Sequence, residues 1–376
     1  MRHQSVPKIH QPDWVLFFIL LGLLVFGIIA VYDASVVTAA NVFGGKYYFM
    51  LLQLFWSLVG IAVFFVFSNL NYQVFSKFAK WFYIIGLIFL VLVLIPSPFA
   101  PVINGARRWF YINPSPLPLL PFFGRLGFQP AELAKFCLIV YLSKLFTDKN
   151  RRTVIIFLVT TAVYAILIGL EPDFGTSVIT LGIGLSIFFI SGASLAYFAA
   201  GLPSIFAVGL VYVLSSAYRK ARLLTFINRS SVDNSGAGYH IQQILIALGS
   251  GGLFGIGLGS SRQKYGFVPE VQTDSILAIV GEELGLLGTL LLVSFFGLLI
   301  WRLLKIVGTA PDNFSKFITV GFSSWVGVQV LMNLAAMTHL IPLTGVPLPL
   351  ISYGGSAMIF MLSGLGVVFG ISKYAK

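Results

Sequence analysis

The chain has 376 residues, of which 58% are hydrophobic and 10% charged, and its formal net charge is +12. Soluble domains carry about 25% charged residues, so the composition excludes a soluble globular protein and predicts an integral membrane protein. The single cysteine, Cys137, lies in an apolar run. It excludes a disulfide or a thiolate metal site within one chain.

Apolar runs long enough to cross a bilayer, which needs about 20 residues per helix, recur along the whole sequence. We predict an all-α, polytopic membrane protein with about ten spans, at 14–32, 47–68, 81–95, 130–146, 153–170, 174–192, 197–217, 275–301, 315–340 and 355–372. The first run lacks a small-residue cleavage site and is followed by further spans, which indicates an anchor and not a signal peptide. Residues 1–376 form one predicted membrane domain, with two larger extracytoplasmic loops at about 96–129 and 218–274.

Lysine and arginine are unevenly distributed between the two sets of connections. The positive-inside rule places the richer set, and with it both termini, in the cytoplasm. This set contains Arg2, Lys8, Lys77, Lys80, Lys144, Lys149, Arg151, Arg152, Arg302, Lys305, Lys316, Lys373 and Lys376. The outer face still carries two basic clusters, which indicate an anionic ligand such as a phosphate; nucleic acid fits poorly without a soluble domain. These clusters are Arg107, Arg108 and Arg125 in one loop and Arg219, Lys220, Arg222, Arg229, Arg262 and Lys264 in the other.

Two blocks precede and open the fourth predicted span. In GARRWFYI, residues 105–112, two arginines adjoin three aromatic residues, which is typical of an interfacial anchor or of a phosphate-binding loop. In GFQPAELAK, residues 127–135, Pro130 suits the first helical position and Glu132 suits the first turn. Lys135 lies on the same helix face, inside the apolar run. The two charges predict an ion pair that is either structural or part of a ligand site.

Further along the chain, two polar segments are predicted to have structural roles. Asp173 and Thr176 are placed to cap the sixth span. Gly251, Gly255 and Gly259 are spaced by four, which favours close packing of a helix face against another backbone.

The block VPEVQTDSILAIVGEELG, residues 268–285, carries the strongest chemical signal. Thr273 or Asp274 could cap the eighth span, or Asp274 could be functional. Glu282 lies about 12 Å further along a helix axis, too far for a carboxylate pair of about 5–9.5 Å. Asp274 would therefore act alone or with another segment, while Glu282 and Glu283 are expected to be hydrogen-bonded structural or lining groups.

The Pro- and Gly-rich stretch at 342–356 is predicted to be irregular. Irregular backbone at membrane depth must be packed in protein or line a wet cavity.

Seven blocks occur in order over nearly the whole chain: VYDAS at 31–35, GARRW at 105–109, FQPAELAK at 128–135, GSGGLFGIGLGSSRQKYGFVPE at 249–270, TD at 273–274, GEELG at 281–285 and PLTGVPLPLISYGGS at 342–356. Together they resemble the signature blocks of the SEDS family of shape, elongation, division and sporulation proteins. GSSRQK is more similar to the division member FtsW or the sporulation member SpoVE than to the elongation member RodA. Gln272 stands where the family commonly has histidine, and residues 226–229 replace the usual Asp-Pro.

The resemblance implies a bacterial glycosyltransferase of the cytoplasmic membrane that polymerises lipid II on the outer side of that membrane, usually with a class B penicillin-binding protein. Its substrates would be lipid II and the undecaprenyl-diphosphate-linked glycan. The family's essential aspartate corresponds to Asp274, and its functional acid and lysine correspond to Glu132 and Lys135.

The residues themselves agree with that chemistry. Glycosyl transfer from a lipid diphosphate needs a base near the acceptor and cations near the leaving group. Asp274 is the expected base in an inverting transfer. The expected substrate-binding residues are Arg107, Arg108, Glu132, Lys135, Arg262, Lys264 and Glu270. A divalent metal such as Mg or Mn could assist the diphosphate, although no ligand cluster is evident.

Two other functions use the same features. A lipid II flippase would use the polar residues for alternating access, but carriers place their site near the midplane, and here the ionisable residues concentrate near one face. A noncatalytic scaffold of the division machinery explains the spans but not the basic outer loops.

Overall fold

The computed structural model describes residues 10–103, 105–120, 123–148, 153–227 and 236–375. The described chain is a helical membrane protein with one short antiparallel strand pair, in which Phe110 pairs with Phe128. Its elements are α1 (Trp14–Phe43), α2 (Tyr48–Asn69), α3 (Gln73–Lys77), α4 (Ala79–Leu94), β1 (Phe110–Tyr111), β2 (Gly127–Phe128), α5 (Pro130–Thr147), α6 (Thr153–Leu170), α7 (Phe174–Ile190), α8 (Leu195–Leu214), α9 (Ala217–Ile227), α10 (Ala237–Ser250), α11 (Ile276–Gly308), α12 (Asn313–Met337) and α13 (Gly355–Ser372). The predicted basic residues outside the described part are Arg2, Lys8, Lys149, Arg151, Arg152, Arg229 and Lys376.

Each predicted span corresponds to one helix of the bundle. Seven of the described helices, α1, α2, α6, α8, α11, α12 and α13, are long and apolar enough to cross a membrane, and α4 and α7 are shorter apolar helices. The predicted fourth span, α5, carries Glu132 and Lys135 and packs against α4, α7 and α12. The all-α, polytopic fold class is confirmed, whereas the total of ten spans stays a prediction.

The prediction that the first span ends at residue 32 is wrong. Helix α1 continues to Phe43 and ends where Gly44 adopts a left-handed conformation with φ 69°. Residues 34–43 contain no proline or glycine, so nothing in them stops a helix before Gly44. Asp33 therefore projects from within α1 and does not belong to an outer loop.

The two ends of the described chain meet at one end of the bundle. The backbone N–H of His10 donates to the Lys373 carbonyl at 2.7 Å. The Asp13 N–H donates to Ser372 Oγ at 2.9 Å, and the Asp13 carboxylate pairs with Arg302 at 2.6 Å. His10 and Lys373 therefore lie at the same end of the bundle, and the cytoplasmic location of both termini stays a prediction.

Glycine packing is confirmed at two of the three predicted positions, although not on a helix face. Helix α10 ends at Ser250, so Gly255 and Gly259 lie in the following loop. A Cβ at Gly251 would lie 2.0 Å from the Gly281 carbonyl oxygen, and one at Gly255 would lie 2.1 Å from the Glu283 carbonyl oxygen. Gly259 has nothing within 4 Å, so its predicted packing role is wrong.

This close approach breaks α11 early in its course. Gly285 has φ 66° and ψ −168°, which interrupts the helix. The carbonyls of Glu282 and Glu283 accept hydrogen bonds from the N–H groups of Ile256 and Gly257, both at 3.1 Å. The loop that follows α10, residues 251–264, is called the glycine loop below. Its N–H groups satisfy the two carbonyls that are left without helical partners by the break in α11.

We expect Gly251→Ala to destabilise the protein and Gly249→Ala, two residues away, to leave it intact. The added methyl at Gly251 collides with backbone, an overpacking cost of about 1–3 kcal/mol. At Gly249 the methyl meets nothing within 4 Å, and alanine favours the helix by up to about 1 kcal/mol. Thermal unfolding of the two detergent-solubilised variants measures the difference. Equal melting temperatures would show that the loop shifts to accommodate the methyl group and that the close packing of Gly251 against Gly281 does not stabilise the protein.

Candidate functional site

Residues 341–354 join α12 to α13 as irregular backbone, much of it buried. Three buried amide side chains satisfy its carbonyls. Asn333 Nδ2 donates to Val346 O at 2.8 Å, and Gln329 Nε2 donates to Pro347 O at 2.9 Å. Gln53 Nε2, from α2, lies 3.3 Å from Ser352 O. The predicted irregular stretch is therefore packed inside protein.

Asp274 lies against this segment, just before α11. Its carbonyl accepts a hydrogen bond from Asn333 Nδ2 at 2.9 Å. A Cβ at Gly345 would lie 3.7 Å from its Oδ2 atom. The capping alternative is wrong, because Ser275 occupies the N-cap position of α11 and no side chain caps the helix.

The environment of the Asp274 carboxylate favours its protonated form more than water does. Burial raises the pKa of Asp274 to about 6, and repulsion from the exposed Glu270 adds to this shift. The positive charge of Arg222 and a hydrogen bond from Thr273 oppose it. The side chain remains partly accessible. A carboxylate that titrates near 6 is mostly ionised at pH 7 yet more basic than ordinary aspartate, as a general base should be.

Two residues near Asp274 were not among the expected catalytic and substrate-binding residues, although Arg222 belongs to one of the two predicted outer basic clusters. Arg222, on α9, donates from Nη1 to the Leu343 carbonyl at 3.1 Å. His240, on α10, contacts Ser275 Oγ through Nε2 at 2.8 Å and hydrogen-bonds the Pro269 carbonyl. His240 therefore holds both ends of the segment that carries Asp274.

The imidazole of His240 is neutral at physiological pH. Burial lowers the pKa of His240 to about 4, and the charge of Arg222 contributes. A neutral imidazole offers one donor and one acceptor, which suits a carbonyl and a hydroxyl. No local motif indicated this role, because it depends on how α10 packs against a segment about 30 residues away.

The turn between α6 and α7 brings Arg108 to the same region. Arg108 Nε donates to the Glu171 carbonyl at 3.0 Å, and its Nη2 donates to the Pro172 carbonyl. Asp173 caps α7, as predicted, by accepting from the Thr176 N–H at 3.0 Å. At the start of α7, a Cβ at Gly175 would lie 3.1 Å from Thr344 O. Arg108 therefore bonds the turn that leads into α7, and the start of α7 lies against the 341–354 segment.

Glu171 is a buried acid at this turn. Neither of its carboxyl oxygens has a hydrogen-bond partner among the described residues. Burial raises the pKa of Glu171 to about 9, repulsion from Asp173 adds to the rise, and Arg108 opposes it. The side chain is therefore neutral at pH 7.

Glu132 and Lys135 form the predicted ion pair on α5. Lys135 Nζ lies 2.7 Å from Glu132 Oε1, and the two side chains are 1% and 4% exposed. The ammonium also lies 3.4 Å from Gln329 Oε1 and 4.5 Å from the centroid of the Trp325 ring. The pair is enclosed by protein, which favours an indirect effect on substrate over direct contact.

A second polar cluster joins α1, the glycine loop and α11. Lys264 Nζ lies 2.8 Å from Asp33 Oδ1 and 3.0 Å from Glu283 Oε1, and its side chain is 2% exposed. Glu283 also accepts the Ser261 N–H at 2.8 Å, and Glu282 accepts the Ser261 hydroxyl. The expectation that Glu282 and Glu283 are hydrogen-bonded is confirmed.

The remaining predicted residues lie nearer the surface. Arg107 is half-buried, and its Nη1 donates to Ala100 O at 3.1 Å, whereas Arg262 is exposed. Glu270 has φ 51°, and its carboxylate accepts from the Thr273 hydroxyl at 3.2 Å. In the described part of the chain, no group of three or more His, Cys, Asp or Glu side chains is arranged to hold a metal ion.

These features define a polytopic membrane protein with a carboxylate and several cations arranged around irregular backbone at one end. The sequence model of the cell cycle protein family FtsW/RodA/SpoVE matches residues 13–376. Stage V sporulation protein E of Bacillus subtilis is 38% identical over 374 residues, which cover 97% of this chain and 98% of that protein. The probable peptidoglycan glycosyltransferase FtsW of Trichlorobacter lovleyi is 35% identical over 376 residues, covering 98% and 95%.

Two solved structures share the fold. A chain of a peptidoglycan synthase complex that coordinates polymerization and crosslinking matches with a TM-score of 0.78 and 26% identity, over 96% of this chain and 97% of that one. The rod shape determining protein RodA of Thermus thermophilus matches with a TM-score of 0.69 and 26% identity, over 96% of each chain. The protein belongs to the FtsW/RodA/SpoVE family, and the resemblance predicted from its motifs is confirmed.

We predict that His240→Phe reduces the activity of the protein and that His240→Gln largely preserves it. Glutamine can donate to the Pro269 carbonyl and accept from the Ser275 hydroxyl, whereas phenylalanine can do neither. Because misplacing a catalytic group by about 1 Å can cost about 100-fold, we expect the phenylalanine variant to lose about tenfold or more in kcat with little change in KM. Steady-state turnover measures this effect.

Gln242→Ala, at an exposed site on the same helix, is the control and should behave as the unmodified protein does. Equal turnover by the phenylalanine and glutamine variants would contradict the predicted role of His240 in positioning Asp274.

Proposed function

We propose that the protein is a peptidoglycan glycosyltransferase that polymerises lipid II on the outer side of the bacterial cytoplasmic membrane. Relatives over nearly the whole chain carry the name of that activity. The observation that carries the proposal is Asp274, a partly accessible carboxylate with a pKa near 6, held by backbone contacts beside Arg222.

In the proposed reaction, the 4-hydroxyl oxygen of an incoming lipid II attacks the anomeric carbon of the lipid-linked strand. A new glycosidic C–O bond forms as the C–O bond to the diphosphate breaks, with inversion at that carbon. The hydroxyl proton passes to Asp274, and undecaprenyl diphosphate leaves with the bonding electron pair. A general base works best when its pKa lies near the operating pH, and burial raises the pKa of Asp274 to about 6.

Cations stabilise the charge that develops on the departing diphosphate. Arg222 lies beside Asp274, and we add it to the predicted set. Arg107, Arg108 and Arg262 remain proposed diphosphate ligands, of which Arg262 is the most exposed. Glu270 remains a proposed substrate contact at the outer surface.

Lys264 is better suited to positioning than to binding. Its ammonium is buried between the carboxylates of Asp33 and Glu283. Removing it would leave those carboxylates without their cation. We propose that Lys264 fixes the glycine loop and thereby orients the neighbouring Arg262.

We propose that the protein works with a class B penicillin-binding protein and that both of its termini are cytoplasmic. The first proposal is supported by the structural match to a peptidoglycan synthase complex. The second is supported by the meeting of His10 with Lys373. The active site would then lie at the opposite, extracytoplasmic end.

Asp274→Asn should reduce lipid II polymerisation by about 100-fold or more, because asparagine cannot accept the hydroxyl proton. Its backbone carbonyl still accepts from Asn333, so folding and partner binding should persist. The assay incubates the purified protein, with and without its partner, with labelled lipid II and separates the products by size.

Glu171→Gln is the matched control. Glu171 is neutral at pH 7, so the amide replaces it without a change in charge, and polymerisation should persist. Near-normal polymer from Asp274→Asn would remove the base assignment. Transport of lipid II across liposomes without any polymer would replace the proposed enzyme with a flippase.

A further inference from the structure

Helix α12 carries a buried polar stripe on one face. Trp325, Gln329 and Asn333 are spaced by four residues and are 0%, 1% and 0% exposed. Trp325 Nε1 donates to Gln329 Oε1 at 2.9 Å. Burying an amide costs free energy unless its groups are hydrogen-bonded, so the partners of these side chains define what the stripe does.

One end of the stripe holds the buried ion pair of α5. Lys135 lies against Gln329 Oε1 and above the Trp325 ring. Gln329 therefore accepts from both the ammonium and the indole, and its Nε2 group is directed to the Pro347 carbonyl. The position of Lys135 is thereby linked to the backbone at Pro347.

The other end holds the candidate base. Asn333 donates to the carbonyls of Val346 and Asp274 through one amide nitrogen. Val346 and Pro347 are adjacent, so Gln329 and Asn333 hold the same stretch of backbone. An unbroken series of contacts therefore joins Glu132 and Lys135 to Asp274.

We propose that Gln329 and Asn333 are positioning residues that transmit the placement of the Glu132–Lys135 pair to Asp274. The pair then affects glycosyl transfer through α12 and not by touching substrate. This proposal rests on the proposed function, because it takes Asp274 as the base. It explains how an ion pair closed off from solvent can matter to chemistry at the outer end of the bundle.

The first test replaces each amide with an apolar side chain of similar size. Gln329→Met and Asn333→Leu should each lower kcat by about tenfold or more, with little change in KM, because Asp274 is displaced while the substrate contacts remain. Ser323→Ala is the control. Ser323 is buried on the same helix, but among the described residues its hydroxyl bonds only the Thr319 carbonyl of α12. It should retain full activity.

The second test is a double-mutant cycle. Glu132→Gln with Lys135→Met removes both charges together, so no uncompensated charge is left buried. When this charge-free variant is combined with Asn333→Leu, the fold-loss in kcat should be smaller than the product of the two separate fold-losses. Both changes interrupt the same series of contacts. His240 holds the Asp274 segment through separate contacts. When the charge-free variant is combined with His240→Phe, the fold-losses in kcat should therefore multiply.

The third test does not depend on activity. Hydrogen exchange of the backbone amides at 343–353 and 270–275 should be faster in the charge-free variant than in the unmodified protein. Multiplicative losses in the Asn333 cycle, or unchanged exchange in these segments, would overturn the proposal. If the unmodified protein makes no polymer, the proposed function fails, and the exchange measurement alone decides whether the connection exists.

Discussion

The structure depends on satisfying the backbone polar groups of residues 341–354 inside a helical bundle. Irregular backbone at membrane depth is stable only when protein supplies its hydrogen bonds. Gln53, Gln329 and Asn333 supply donors from two helices, and Tyr353 N–H donates to the Gln272 carbonyl at 2.8 Å. The segment is consequently tied to the stretch that carries Asp274. A buried loop that would otherwise be costly becomes the support for the candidate base.

A second irregular region is stabilised in the same manner. The glycine loop lies against the break in α11, where two helix carbonyls accept its N–H groups. The carboxylates of Glu282 and Glu283 accept hydrogen bonds from Ser261 in the same loop. Lys264 forms ion pairs with both Glu283 and Asp33 of α1. Charges at this boundary are thus largely used within the protein. Arg262, by contrast, is exposed and is one of the proposed diphosphate ligands.

Sequence reasoning was most accurate where the signal is local. Helices α5 and α13 begin at Pro130 and Gly355, where the apolar runs predicted them, and the three-residue spacing of Glu132 and Lys135 predicted their ion pair. It was wrong at the end of α1, where hydrophobicity declines but nothing breaks the helix. Contacts between residues far apart in the chain could not be predicted from the sequence either. Lys264 and Asp33 are separated by 231 positions, so nothing in the sequence indicated that this lysine is enclosed by carboxylates.

The central claim is that the fold holds Asp274 as a base whose environment raises its pKa to about 6. The most direct test is the pH dependence of kcat/KM for lipid II polymerisation between pH 5 and 8, since this quantity reports ionisation of the free enzyme. A base must be deprotonated to act. We therefore expect kcat/KM to level off above about pH 7 and to fall below pH 6, with a slope that approaches tenfold per pH unit. A profile that stays level across this range would contradict it.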